Sequence, residues 1–470
     1  MVIILYVLDA LRADYLSCYG HKNKTSPNID KIAEENVIFK NAFSQSTWTR
    51  TSGASILSST YPSVHKVITL KDTFPSSLPS LQEELKKNGF RTIAISSMGN
   101  ISPDFGFGKG FDHFVELYKE KKVMSKRKIL QTKHVSWQNY FKSESVAIAT
   151  AEDINKFLFP FLEKYKGENL FVFIWSIDTH APFFHREPKL AKFSSPSSKI
   201  FWNNGRKKRI RRLKNIYQDM LYYNDYYLGK LRERLEELNL YDDSFLIITS
   251  DHGESFGEHY LYGHGKVPYE EEIRVPLIMK FPGSKFQGSV EGLVQHIDIY
   301  PTILDYLKIE KDNHFIQGKS LLPLVSKKEK RLNQFVFSET QLDKDRPKYI
   351  SLRTENYKYI RIKCKLMLAG YIKLRMPVLR TLRRSLKNLI NYIKYLFIND
   401  QMLFSLKNDN QEKNNIIRKE KEIAEQLKSQ IRAIYKENER KSLSLRKGER
   451  RRRKIDKEIE NQLKVLGYLD

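Results

Sequence analysis

Cysteine is nearly absent from this chain of 470 residues, which holds only Cys18 and Cys364. Two cysteines exclude a disulfide framework and a zinc site built from cysteines. Long apolar runs are also missing. The run Val2–Leu8 is followed directly by Asp9 and is too short to span a membrane, which needs roughly 20 residues. No secretory signal pattern opens the sequence, so we expect a cytoplasmic protein, with peripheral contact at the inner membrane surface as an extension of that expectation.

Acidic residues are few relative to basic ones, with 55 Asp and Glu against 82 Lys and Arg, a net charge of +27. This excess predicts an anionic partner, which could be nucleic acid, a membrane surface or a sulfated or phosphorylated substrate. Zinc-finger spacing, an RNA-recognition aromatic motif and a basic region leading into heptads are all lacking, which argues against nucleic acid. The hydrophobic fraction of 40% is enough for a large core and excludes a mainly disordered chain.

Apolar, β-branched runs alternate with helical patterns over the first two-thirds of the chain. The predicted strands are Val2–Leu8, Phe90–Ser97, Phe171–Ile177, Phe245–Thr249 and Val275–Lys280. The predicted helices are Asn28–Glu35, Leu81–Asn88, Ala147–Tyr165 and Ile216–Leu238. This alternation favours an α/β fold with a mainly parallel central sheet flanked by helices.

Polar residues follow three of the predicted strands. Asp9 comes after the first, Asp178 and His180 come after Phe171–Ile177, and Asp251 comes after Phe245–Thr249. Ligands of such sheets bind beyond the carboxyl ends of the strands, so we expect a functional site there.

The segment Ser250–His259, followed by Gly263-His264-Gly265, is the strongest local motif. Its Asp and His residues suit a divalent metal ion, and its glycines let the backbone approach a substrate closely. A surface turn is an equally good interpretation of this motif alone.

A second motif, Trp48–Ser59, is rich in hydroxyl groups. A hydroxyl at a helix start can act as a nucleophile when a metal lowers its pKa. Taken alone, a helix N-cap is the better interpretation, since Thr and Ser fill that position routinely.

Eight segments, in order from residue 2 to about 430, resemble the sulfatase family of the alkaline phosphatase superfamily. They are Leu8–Asp14 with Thr25–Asp30, Trp48–Pro62, Ser250–Glu254, Arg274–Ile278 with Phe281–Gly283, Asp298–Thr302, Gly318–Leu324, Leu352–Tyr359 and Leu403–Leu406. The resemblance implies a sulfatase-like catalytic domain over residues 1–340 and a smaller basic C-terminal subdomain over residues 341–470.

The resemblance also implies roles for individual residues. It gives one divalent ion (Zn²⁺, Mn²⁺ or Ca²⁺) the ligands Asp9, Thr49, Asp251 and His252. It makes Thr49 the nucleophile and His180 and His264 the other catalytic residues, with His264 able to protonate the leaving oxygen. Substrate binding falls to Arg50, His180, His264 and Lys266.

The chain departs from the family at the nucleophile. Sulfatases that form formylglycine start from Cys or Ser with Pro and Arg behind it, whereas this chain has Thr49, Thr51 and Gly53 at those positions. Ala10 also stands where the family often has a second Asp. An unmodified threonine resembles the phosphotransferases and phosphodiesterases of the superfamily, so hydrolysis of phosphate mono- or diesters, or phosphoryl transfer, is the favoured prediction. The alternatives are a true sulfuric ester hydrolase and a non-catalytic relative that binds polyanions or membranes.

The last 110 residues carry 29 Lys and Arg against 13 Asp and Glu. Within them, Lys365–Ile398 has no acidic residue and shows leucines at helical spacing, and the basic run Arg446–Lys454 follows later. The first stretch predicts either an amphipathic helix on an anionic membrane, which would suit a lipid- or glycan-linked substrate, or a helix packed on the catalytic domain. The sequence leaves the oligomeric state open.

Overall fold

The computed structural model describes residues 1–120, 123, 148–195, 207–310, 314–343, 347–363, 400–445 and 456–466. The helices of this part are α1 (Pro27–Glu34), α2 (Thr49–Ser58), α3 (Pro62–His65), α4 (Leu81–Lys87), α5 (Ala151–Lys164), α6 (Lys207–Glu237), α7 (Glu270–Ile273), α8 (Ile299–Tyr306), α9 (Leu322–Val325), α10 (Lys421–Leu445) and α11 (Lys457–Val465). Its strands are β1 (Val2–Leu8), β2 (Val37–Phe43), β3 (Arg91–Ser96), β4 (His113–Glu116), β5 (Leu170–Ser176), β6 (Ser244–Ser250), β7 (Ser255–Phe256), β8 (Tyr262–Gly263), β9 (Arg274–Val275), β10 (Leu277–Lys280), β11 (Gly288–Gln295), β12 (Val336–Thr340), β13 (Lys348–Arg353), β14 (Tyr357–Lys363) and β15 (Gln401–Ser405).

The larger sheet has the order β11–β2–β10–β6–β1–β5–β3–β4, with β9 beside β2. The strands β4, β3, β5, β1 and β6 run parallel, whereas β10 is antiparallel to both of its neighbours. The register pairs Leu8 with Ser176 of β5 and with Ser250 of β6. The carboxyl ends of β1, β5 and β6 are therefore level, and the predicted α/β fold with a mainly parallel sheet is confirmed.

Both faces of the central strand are buried, as its continuous apolar sequence predicts. In β1, Leu5 and Val7 belong to the core on one face, together with side chains from α2, α4 and α8. The alternate residues Ile4 and Tyr6 belong to the core on the other face, together with side chains from α1, α5 and α6. This two-sided packing fixes β1 in place and so fixes the residue that follows it.

A second, antiparallel sheet contains β12, β13, β14 and β15 in that order. One of its faces packs on α10 through residues such as Leu427 and Ile431. Its other face packs on Leu261 and Tyr269, which come from the segment between β6 and β9. The sheet starts at Val336, ahead of the predicted boundary between residues 340 and 341.

The predicted strand Val275–Lys280 is two strands, β9 and β10, separated by Pro276, which has no backbone N–H to give to a ladder. The sequence reasoning did not identify β2 and β11, which pair with each other at the end of the sheet. The predicted amphipathic stretch Lys365–Ile398 and the run Arg446–Lys454 lie outside the described residues. None of the described helices is both long and apolar enough to cross a membrane.

Candidate metal-dependent active site

The carboxyl ends of β1 and β6 bring three predicted metal ligands together. Asp9, Asp251 and His252 are fully buried, and one ligand atom of each lies within 4.8 Å of those of the other two. His252 Nε2 is 3.2 Å from Asp251 Oδ2 and 3.9 Å from Asp9 Oδ1. We refer to these three residues as the Asp–Asp–His cluster.

Two carboxylate oxygens of the cluster, Asp9 Oδ1 and Asp251 Oδ2, accept no hydrogen bond from any residue that the structure describes. The second oxygen of each carboxylate does accept hydrogen bonds. Trp175 Nε1 donates to Asp9 Oδ2 at 3.0 Å, and the N–H groups of Ala10 and His252 donate to Asp251 Oδ1 at 2.9 Å. Buried polar atoms are rarely left without partners, and a divalent cation would satisfy both oxygens. The residues present therefore fit a metal ion.

His252 is oriented as a metal ligand. Its Nδ1 lies 2.8 Å from the carbonyl oxygen of Gly253, which can only accept, so Nδ1 carries the proton and Nε2 the lone pair. Burial lowers the pKa of His252 to about 4, which keeps the ring neutral. Burial also raises the pKa of Asp9 to about 6 and that of Asp251 to about 7, so uptake of a cation near neutral pH would release protons.

Thr49 is the first residue of α2 and faces the cluster. Its Oγ1 is 3.5 Å from Asp9 Oδ2 and 3.4 Å from His252 Nε2. The N-cap residue of α2 is Trp48, which makes no capping hydrogen bond, so the N-cap interpretation of Thr49 is wrong. The hydroxyl instead lies where the first amides of a ten-residue helix favour negative charge.

The helix α2 packs directly on Trp175, the residue that donates to Asp9. A Cβ on Gly53 would lie 2.7 Å from Ile101 Cδ1 and 3.3 Å from the Trp175 ring. Gly53 also occupies the position at which the formylglycine motif places Arg. A larger side chain at this position would require Ile101 to shift and would crowd the Trp175 ring, so the packing here is fitted to glycine.

Replacing Trp175 with Phe should weaken metal binding about ten- to a hundredfold, because phenylalanine cannot donate to Asp9 Oδ2. Titration of the metal-free protein with Mn²⁺ against a fluorescent chelator measures this affinity. Trp48→Phe is the matched control, since the Trp48 indole N–H donates to the carbonyl oxygen of Ile68 instead. Equal affinities of the two variants would contradict the role given to Trp175.

A buried histidine, His65, contacts α2 through Ser55. Val67 N–H donates to His65 Nδ1 at 3.0 Å, so Nδ1 is unprotonated and Nε2 donates to Ser55 Oγ at 3.1 Å. Burial lowers the pKa of His65 from 6.5 to about 3. The folded-state pKa is thus below the unfolded one, and the neutral ring contributes stability that is present above pH 6.5 and lost as the pH falls towards 3.

His65→Gln should therefore make unfolding less sensitive to acid. In the wild type, this residue should lower the free energy of unfolding by up to about 1.4 kcal/mol per pH unit below pH 6.5. Glutamine keeps a donor and an acceptor but takes up no proton. Urea unfolding on both sides of pH 6.5 tests this, and parallel acid curves for the two proteins would refute it.

Two more histidines border the cluster. The ring centroids of His180 and His264 are 4.8 Å apart, and that of His264 is 4.3 Å from that of His252. His264 Nδ1 lies 3.1 Å from Oε2 of Glu254, a fully buried carboxyl. Burial lowers the pKa of His180 to about 4 and that of His264 to about 3. The structure thus brings both predicted catalytic histidines to the cluster.

Arg50 and Lys266, the other two predicted substrate-binding residues, have different surroundings. The buried Arg50 guanidinium donates to the carbonyl oxygens of Leu70 and Asp72 and to Asn100 Oδ1. Lys266 Nζ donates to the carbonyl oxygen of Tyr262, at the start of β8. Substrate contact by these two side chains stays a prediction.

Asp178, noted beside His180 at its strand end, supports the scaffold. Its Oδ2 accepts hydrogen bonds from Ala151 N–H, at the start of α5, and from Asn224 Nδ2. Arg186 lies against the other side of this loop and donates to the carbonyl oxygens of Asp178 and His180. These contacts hold the loop that carries His180.

Sequence reasoning missed Trp175, Glu254 and Arg186. In the sequence, Trp175 is indistinguishable from the other apolar residues of a buried strand. Only the pairing of β5 with β1 shows that its indole reaches Asp9. Glu254 stands inside the motif Ser250–Glu254 and could have been identified from it. Arg186, six residues after His180, gave no pattern of its own.

Family models match most of the chain. A family model described as Sulfatase matches residues 2–309, and one described as N-sulphoglucosamine sulphohydrolase, C-terminal, matches residues 257–369. An arylsulfatase of Clostridium perfringens is 23% identical over 414 residues, which cover 76% of this chain and 84% of that protein. A ulvan-active sulfatase of Formosa agariphila is 27% identical over 390 residues, which cover 76% and 72%.

The fold is also found in a solved structure, that of the phosphonate monoester hydrolase of Agrobacterium radiobacter. The TM-score is 0.65 with 18% sequence identity, and the match covers 95% of each chain. The Sulfatase match spans every strand of the larger sheet and all three residues of the Asp–Asp–His cluster. From its sequence, its sheet and its cluster together, this chain belongs to the sulfatase family, within the alkaline phosphatase superfamily, and is an ester hydrolase.

Proposed function

We propose that this protein is a divalent-metal-dependent hydrolase of sulfate esters in which Thr49 is the nucleophile. The observation that supports this most directly is the position of Thr49 Oγ1, 3.5 Å from Asp9 and 3.4 Å from His252, beside two unpartnered carboxylate oxygens. Sulfate esters are the favoured class because an arylsulfatase and a ulvan-active sulfatase are similar to the chain over most of its length.

The chemistry divides among the residues of the site. A metal ion held by Asp9, Asp251 and His252 would supply positive charge to the transferred group and to the attacking oxygen. Thr49 Oγ1 attacks the sulfur or phosphorus atom in line with the departing ester oxygen, and its own proton passes to Asp9 Oδ2. The departing oxygen takes the Nε2 proton of the neutral His264 ring, and Glu254, whose pKa burial raises to about 7, replaces that proton at Nδ1. Water then cleaves the ester on Thr49 and gives a proton back to Glu254 through His264, while the proton on Asp9 restores the Thr49 hydroxyl. The N-terminal amides of α2 favour the negative charge of the transferred group throughout.

Phosphate or phosphonate esters are the second candidate substrates. Thr49, Thr51 and Gly53 stand where the formylglycine motif has Cys or Ser, Pro and Arg, so the nucleophile of this candidate is an unmodified threonine hydroxyl. The phosphonate monoester hydrolase of Agrobacterium radiobacter has the same fold. This candidate includes mono- and diesters, and transfer to an alcohol in place of water.

The experiment that tests the proposal compares initial rates on an aryl sulfate, an aryl phosphate, an aryl phosphodiester and an aryl phosphonate. Each substrate is assayed with Zn²⁺, Mn²⁺ and Ca²⁺ and after chelation. Metal-dependent turnover that is fastest on the sulfate supports the proposal, whereas faster turnover on a phosphorus ester would establish the second candidate. Rates that do not depend on metal would refute both.

The remaining predictions concern partners and location. The net charge of +27 suits an anionic ester on a lipid or a glycan, and the basic residues after 360 suit contact with an anionic membrane. We propose residues 1–340 as the catalytic domain, residues 341–470 as a basic subdomain, and a cytoplasmic location.

A further inference from the structure

A buried ion network joins the second sheet to the segment beside the active site. Lys358 of β14 is fully buried, and its Nζ lies 3.1 Å from Glu270 Oε1 and 2.9 Å from Glu412 Oε1. Glu412 Oε2 also accepts the N–H of Glu270 at 2.7 Å, and Arg353 Nε is 3.4 Å from Glu270 Oε1. A buried lysine is tolerated only when paired, and loss of one partner of such a group is strongly destabilising locally.

The short helix α7 begins at Glu270 and connects this ion network to the loop that contains His252. Gly253 N–H donates to the carbonyl oxygen of Glu272 at 2.9 Å, and Glu254 N–H donates to that of Glu271 at 3.1 Å. A Cβ on Gly253 would lie 2.0 Å from the Glu271 oxygen, so the two backbones are in direct contact. Movement of α7 would therefore move Gly253, whose carbonyl oxygen orients the His252 ring.

We infer that Lys358 and Glu412 are positioning residues through which the C-terminal subdomain sets the metal affinity of the Asp–Asp–His cluster. This inference rests on the proposed metal-dependent function. Lys358 holds Glu270 and Glu412 together, Glu270 begins α7, and α7 fixes the backbone that follows His252. Neither Lys358 nor Glu412 touches the cluster, so their effect is on its geometry.

Two measurements on the full chain test this inference. Titration with Mn²⁺ gives the metal affinity, and hydrogen exchange of the metal-free protein reports the protection of the Gly253 and Glu254 amides. Lys358→Met should weaken Mn²⁺ binding about tenfold and speed exchange at both amides. Lys358→Arg keeps the positive charge and should have an affinity and an amide protection close to those of the wild type. Lys348→Met is the matched control, because Lys348 of the same sheet pairs with the buried Glu339 at 2.6 Å instead of with α7.

Each outcome decides the inference. Weaker binding and faster exchange in Lys358→Met, but not in Lys348→Met, would support it. Unchanged affinity in Lys358→Met, or equal losses in both variants, would overturn it and leave the proposed function standing. A wild-type chain that binds no Mn²⁺, Zn²⁺ or Ca²⁺ would overturn the proposed function as well. If Lys358→Met does not fold, Glu412→Gln decides the matter, since it removes one charge from the network and keeps an oxygen for Glu270 N–H.

Discussion

Replacing Asp251 with asparagine should abolish metal binding and remove nearly all turnover without unfolding the protein. The amide oxygen of asparagine can still accept the N–H groups of Ala10 and His252, which Asp251 Oδ1 accepts in the wild type. The substitution changes mainly Oδ2, one of the two unpartnered oxygens of the cluster. We expect turnover to fall on the order of 10³-fold, as expected when a transition-state interaction and its metal are lost together.

The metal-free variant should unfold at the same temperature as the metal-free wild type or at a higher one. Charge on a buried carboxyl is unfavourable without a cation, and burial therefore raises the pKa of Asp251 to about 7 and that of Asp9 to about 6. A neutral amide removes that cost. Metal content by mass spectrometry and melting curves with and without chelator measure the two effects.

Asp298→Asn is the matched control for a buried aspartate outside the cluster. Asp298 is fully buried, and its two oxygens accept the N–H groups of Lys319 and Gln295. Its replacement should lower stability, because an amide nitrogen cannot accept, and should leave metal content unchanged. Metal retained by Asp251→Asn, or lost equally in Asp298→Asn, would contradict the ligand assignment.

The positions of the ligands along the chain could be predicted because strands and their ends leave strong patterns. Val2–Leu8 and Phe245–Thr249 are continuous apolar runs, and each is followed by a residue of the cluster within two positions. The sequence cannot show that these two strands are adjacent and level. Their adjacency depends on the packing of both faces of β1, and it is this adjacency that brings Asp9 next to Asp251.

Contacts between distant parts of the chain account for what the sequence did not reveal. Trp175 donates to Asp9, which lies 166 positions earlier in the chain. Within β5, however, Trp175 is one of seven consecutive buried residues, and nothing in that local sequence distinguishes it from an ordinary core residue. Lys358 appears in a short motif with two tyrosines, and only the fold places it beside Glu270 and Glu412. Residues that act by positioning others carry a weaker local pattern than residues that bind a metal, because their partners are set by tertiary structure.

The assignment of Thr49 as nucleophile makes the second prediction of large effect. Thr49→Ala should lower turnover on the order of 10³-fold or more, since it removes the attacking oxygen, whereas Thr49→Ser keeps that oxygen and should retain much of the activity. Metal binding should survive in both variants, because Asp9, Asp251 and His252 stay in place. This separation of turnover from metal content distinguishes the loss of a nucleophile from the collapse of the site.

Thr51→Ala is the matched control from the same helix, since the Thr51 hydroxyl donates to the carbonyl oxygen of Val67 at 2.7 Å and supports the scaffold. It should leave turnover close to that of the wild type. Acid quenching of the wild type during turnover should also trap the sulfuryl or phosphoryl group on the peptide that contains Thr49, and the mass of that group identifies the substrate class. Turnover that survives Thr49→Ala would mean that water attacks the ester directly, with the Asp–Asp–His cluster but not Thr49 responsible for catalysis.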